Sequence, residues 1–107
     1  MDKMLEIMEA TGLPYAYHHF AEGESPHPPF LIFLTAQSDH FAADGKAYCK
    51  ICEYHIELYT DRKSPATERR VEAVLDAHGI FYQKTEAWIE SERLYEILYS
   101  FEMEAEK

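Results

Sequence analysis

Cys49-Lys50-Ile51-Cys52 has the C-x-x-C spacing that holds zinc in a knuckle or forms a redox pair at a helix start. The surrounding stretch, Ala47 to Thr60, alternates in the manner of a strand, where positions i and i+3 point to opposite faces. The two sulfurs then diverge, so they can neither bridge nor share a metal without a bulge, and structural or incidental thiols are expected. The six histidines (His18, His19, His27, His40, His55 and His78) include no pair at the i, i+4 spacing that places two imidazoles on one helix face. Exposed or hydrogen-bonded histidines are the ordinary expectation. No G-x-S-x-G elbow surrounds Ser25, Ser38, Ser64, Ser91 or Ser100, and Gly12, Gly23, Gly45 and Gly79 each fall where a turn or helix cap needs one. Paired carboxylates could be drawn from Glu86, Glu90, Glu92, Glu96, Glu102 and Glu104, but acidic runs this dense usually form a solvated face. Neither catalysis nor a cofactor or metal is expected.

The distribution of charge is more informative than any pair. Residues 1–60 hold nine acidic and three basic side chains, 61–84 four and five, and 86–107 seven and two, so the net charges are −6, +1 and −5. Arg62, Lys63, Arg69 and Arg70 are the basic patch of an acidic protein. They could be a solvated helix face spaced with Glu68, Glu72 and Asp76. The sharper reading is a contact between copies, a basic edge on one subunit meeting the acidic C-terminal strand of the next through Glu96, Glu102 and Glu104.

The elements that must position these groups follow from periodicity. Lys3 to Thr11 carries Met4, Leu5, Ile7 and Met8 at helical spacing, closed by Gly12. Tyr15 to Phe20 alternates as a strand, Ala21 to Pro29 is a proline-rich loop, and Phe30 to Thr35 is an apolar run expected to be a central strand covered on both faces. Ala36 to Lys46 is a long polar loop ending in the turn dipeptide Asp44-Gly45, and Ala47 to Thr60 returns as a second strand, forming a hairpin with the first. Ser64-Pro65 opens a helix with Val71, Val74, Leu75 and His78 on one stripe, ended by Gly79. In the last third, Leu94, Ile97, Leu98 and Phe101 fit a helix, while Tyr95, Ile97, Tyr99, Phe101 and Met103 alternate. The longer match favours a hairpin turning near Ser91. The expected fold is α+β in the order α-β-β-β-α-β-β, a small mixed or antiparallel sheet with both helices packed mainly on one face. Its expected core is Ile32, Leu34, Ile56, Leu58, Val71, Val74, Leu75, Ile97, Tyr99 and Phe101.

A chain of 107 residues, 47% hydrophobic, buries roughly two-thirds of its unfolded surface, which is enough for one core and one domain. A net charge of −10 opposes direct nucleic-acid binding, because repulsion precedes any counterion release. Phe30 to Leu34 is too short to span a membrane, and Met1-Asp2-Lys3 leads into an amphipathic stretch, so a soluble intracellular protein is expected.

Three stretches together form a familiar pattern: Pro28-Pro29-Phe30-Leu31-Ile32-Phe33-Leu34, then Phe41-Ala42-Ala43-Asp44-Gly45-Lys46 with Tyr48, then His55-Ile56-Glu57-Leu58-Tyr59-Thr60-Asp61-Arg62-Lys63. With Gly79-Ile80-Phe81-Tyr82 and Ile89-Glu90-Ser91-Glu92-Arg93-Leu94-Tyr95, the chain from about Leu13 to Met103 resembles small proteins of the head-tail connector region of tailed phages and prophages of Gram-positive bacteria. The resemblance implies a tail-completion or head-to-tail joining protein, similar to the tail terminators of long-tailed phages. Such proteins have a small sheet with two helices and work as a hexameric ring that caps the tail tube and docks it to the head. It implies no catalytic residue, favours the C-terminal hairpin, and leaves Cys49 and Cys52 as departures from the pattern. Its implied partners are further copies of the chain, tail-tube and head-connector proteins, in the host cytoplasm during assembly and at the head-tail interface of the virion. Phe41, an aromatic in the polar second loop, is the expected docking anchor. Two other classes stand beside this reading. One is a small-molecule binding domain or small enzyme using a pocket of Tyr15, Tyr17, Tyr54 and Tyr59 with a histidine. The other is an acidic mimic of nucleic acid, opposed by the basic helix.

Overall fold

The computed structural model of the protein describes residues 2–35 and 51–104. Among them the chain forms α1 (Asp2–Thr11), β1 (Tyr15–Tyr17), β2 (Phe30–Thr35), β3 (Ile51–Thr60), α2 (Pro65–Ala77), β4 (Tyr82–Ile89) and β5 (Leu94–Glu104). This is the α+β order expected from periodicity. The strands make one mixed sheet in the order β1-β2-β3-β5-β4, with β1 parallel to β2 and every other neighbour antiparallel. The Asp44-Gly45 turn, Phe41, Cys49 and the expected start of the second long strand lie outside the described residues.

Register assigns the two faces. Leu31 pairs with Leu58 and Phe33 with Ile56, while Leu58, Ile56 and Tyr54 pair with Ile97, Tyr99 and Phe101 across the next ladder. These side chains share one face and are buried in one cluster with Met4, Ile7 and Met8 of α1 and Val71 and Leu75 of α2. Both helices therefore cover the same face, the arrangement that buries two apolar stripes against one sheet. The C-terminal hairpin turns through Glu90–Arg93, with the Arg93 amide donating to the Glu90 carbonyl at 3.2 Å. Its alternating residues Ile97, Tyr99, Phe101 and Met103 are buried, which decides between strand and helix for this segment.

Two expected core residues are only half-buried. Leu34 pairs with His55 on the face away from the helices, and Val74 stands at the flank of the α2 stripe, where Val71 and Leu75 take the central positions. Ile32 is buried, but on that same second face. Phe20 stands edge-on to Phe30 at 5.4 Å, and Phe30 stacks on Tyr59 at 5.2 Å, so aromatic rings cover this end of β2 opposite the helices. The central strand is β3, with β2 beside it. β1 is shorter than its alternation predicts, because His18 takes a φ of 72° and ends it.

Helix ends match their residues. Ser64 Oγ accepts from the Thr67 amide at 3.4 Å with Pro65 in the first turn, and Gly79, at φ 70°, lets the Ile80 amide reach back to the Leu75 carbonyl at 3.0 Å. At the end of α1, Gly12 has a φ of 75°, which favours glycine, and a Cβ there would lie 2.5 Å from Arg70 Nη2, so the end of that side chain would have to shift. No helix among the described residues is long and apolar enough to cross a membrane.

Candidate functional site

The four residues of the basic patch have different surroundings. Lys63, beside the N-terminus of α2, donates to Glu68 at 2.8 Å and also to Glu86 of β4. Lys84 reaches the same carboxylate at 2.8 Å and Glu72 at 2.7 Å, while the Tyr99 hydroxyl donates to Glu72 at 2.8 Å. Burial would raise the Glu68 carboxyl, but the two lysines outweigh it and hold it below the usual carboxylate range. Those same carboxylates push Lys63 upward. Arg70 Nε donates to the Thr11 carbonyl at 2.7 Å, fixing a cation at the C-terminal end of α1 where the helix dipole favours one. Lys63 and Arg70 are thus committed within the subunit. Arg62 and Arg69 are exposed and pair with no carboxylate among the described residues.

The expected acidic partners divide between the two ends of β5. Glu96 pairs with Tyr59, near the end of β3 from which Arg62 follows, and Glu102 pairs with Glu53 at the other end. Glu104 is the last residue of β5. Glu96 accepts from the Tyr59 hydroxyl at 3.0 Å, and the same hydroxyl lies 2.9 Å from Glu57. Burial raises the Glu57 carboxyl. Its Tyr59 hydrogen bond opposes this, the Glu96 charge adds to it, and nearby His55 and His18 lower it, with a net upward result. Tyr59 is held well above the usual phenol range, first by burial and then by its two carboxylates.

Glu53 and Glu102 are directly opposed on the second face, an arrangement that repels across a ladder. They line an open groove of about 660 Å³ together with Phe81, Gln83 and Ser100, while Lys3 and His78 stand on its helix side. Glu53 also meets His55 at 3.0 Å. Phe81, one residue before β4, is 92% exposed, unlike any other large apolar side chain described. Neither this corner nor the Glu57–Tyr59–Glu96 cluster was evident from spacing. Both depend on β3 lying beside β5, a neighbour relation that a hairpin reading of β4 and β5 alone does not provide.

The four tyrosines considered as one pocket are distributed over both faces. Tyr15 and Tyr17 pack on Phe33, Tyr54 is in the helix-side core, and Tyr59 is on the second face. Cys52 is half-buried opposite Met103 and packs against the core. Among the described residues no three His, Cys, Asp or Glu side chains are grouped so as to hold a metal ion. Comparison with models of protein families gives no match, and no curated protein matches the chain.

Proposed function

We propose that the protein is a non-enzymatic structural subunit that completes a phage tail or joins it to the head, by assembling with copies of itself into a ring at the end of the tail tube. The observation that supports this best is the α-β-β-β-α-β-β order as a small sheet carrying both helices on one face and ending in a hairpin, the architecture that the connector resemblance implies. Among the described residues both helices lie on one face of the sheet, and β4, at its edge, is exposed along most of its length and offers a surface for other contacts. Physically, assembly follows from surface complementarity. A strongly acidic subunit repels its copies in dilute solution and associates where the tail end offers many contacts at once. The partners in this reading are further copies, the tail tube and the head connector, with no direct role for nucleic acid or membrane.

The direct experiment is complementation of a phage lacking this gene. Tailed particles should be absent without the protein and return when it is supplied. Normal tailed particles without any copy would overturn the reading.

A further inference from the structure

The poles of β3 carry opposite recognition chemistry. At its C-terminal end the chain leaves through Arg62 toward α2, whose second turn carries Arg69, and both guanidinium groups are exposed. At its N-terminal end Glu53 faces Glu102 across the ladder, beside the exposed ring of Phe81. Seven residue steps separate Glu53 from Thr60, about 23 Å of extended chain, so these two surfaces cannot meet within one subunit.

Each surface lacks what the other offers. Two directly opposed carboxylates repel, and a planar guanidinium between them would donate hydrogen bonds to both while cancelling their charge. The Phe81 face is a platform on which that guanidinium can stack. By side-chain count the groove is lined by one lysine, Lys3, against two carboxylates, Glu53 and Glu102. Glu96 lies at the same end of the ladder as Arg62 and accepts from Tyr59, whereas Glu53, which also meets His55 at 3.0 Å, stands at the far end beside a second carboxylate, Glu102.

We infer that the Glu53–Glu102–Phe81 corner of one subunit docks the Arg62 and Arg69 end of a second copy. The contact joins different surfaces at opposite ends of a strand, so it is head-to-tail. Repeated, it closes into a ring when the rotation permits and extends as a filament when it does not. This pairing rests on the self-assembly reading above and names the surfaces that carry it.

Sedimentation velocity over a rising concentration series at low salt tests it, on the full chain. Native protein should associate weakly and lose that association with added salt. R62E/R69E and E53R/E102R should each weaken it roughly tenfold or more. The variant carrying all four reversals should restore it. E53Q/E102Q, which removes the repulsion without adding charge, is the check that loss reflects recognition and not misfolding, and it too should associate poorly while its circular dichroism stays native. A chain that remains monomeric to millimolar concentration, or association indifferent to both reversals, overturns the pairing. Loss with E53R/E102R but not with R62E/R69E places another segment at the corner and equally overturns it. The connector reading fails separately: association that follows the charge-swap pattern, together with normal tailed particles in the absence of the gene, removes the phage role and leaves the pairing intact.

Discussion

Tyr59 and Glu96, at directly opposed positions of β3 and β5, meet through a 3.0 Å contact between the phenol and the carboxylate. The same phenol oxygen lies 2.9 Å from Glu57, two residues before it on β3. A phenol has one proton to donate, so both contacts are fully satisfied only when one carboxyl carries a proton of its own and donates to the phenol oxygen. The upward displacement of Glu57, driven by burial and the Glu96 charge, agrees with that count.

This cluster makes stability depend on pH in a definite direction. A folded Glu57 that holds its proton above the ordinary carboxylate range contributes stability that is complete below that range and lost as pH rises through the raised value. Glu57→Gln keeps an acceptor for Tyr59 and removes the titration. Urea midpoints measured from acidic to neutral pH should therefore fall less steeply for the variant, which should be the more stable of the two near neutrality. Parallel profiles for both proteins would contradict the shared-proton arrangement.

Glu68 titrates in the opposite sense. Lys63 and Lys84 hold its carboxyl below the ordinary range, so its contribution is present above the unfolded value and lost as pH falls through the lowered one. The Glu68 side chain is 6% exposed, whereas Lys63 and Lys84 are 44% and 36% exposed and can be rehydrated when it is removed. Glu68→Ala should thus cost about 1–3 kcal/mol at neutral pH, below the range for a fully buried pair. The difference from native protein should shrink in acid, as read by chemical denaturation at each pH.

The sequence made the ladder legible only in part. Local signals carried the helix ends, because Ser64-Pro65, Gly12 and Gly79 act on their own neighbours. The C-terminal hairpin was readable because its alternating residues are buried on one side only, from Ile97 to Met103. The side of each strand was not readable where both sides are apolar: Ile32 and Leu34 fit a core as well as Leu31 and Phe33 do, and pairing with Ile56 decides which faces the helices. The basic patch was visible as composition, yet Lys63 and Arg70 find partners in Glu86 and Thr11, brought near by the tertiary fold. Spacing contains no information on such distant partners, and the same holds for Glu53 with Glu102.

Leu75 is fully buried where α2 crosses the sheet. Leu75→Ala should destabilise the protein by about 2–5 kcal/mol, the cost of lost apolar transfer together with the cavity that remains. Equilibrium unfolding would show this directly, and a change below about 1 kcal/mol would mean that the α2 stripe is loosely packed.

Thr60 closes β3 with its side chain turned toward the helices, 4% exposed, and its Oγ1 has no hydrogen-bond partner among the described residues. A buried hydroxyl without a partner retains the cost of leaving water and gains nothing in return. Thr60→Val preserves the branched shape and replaces the hydroxyl with a methyl, and valine fits a strand as well as threonine does. The substitution should raise stability by about 1 kcal/mol, at the lower end of the penalty for an unsatisfied buried group. A thermal midpoint higher than that of the native protein is the expected result. A fall would show that Oγ1 has a partner in solution, and a crystal structure of native protein would then reveal the donor or acceptor at that position.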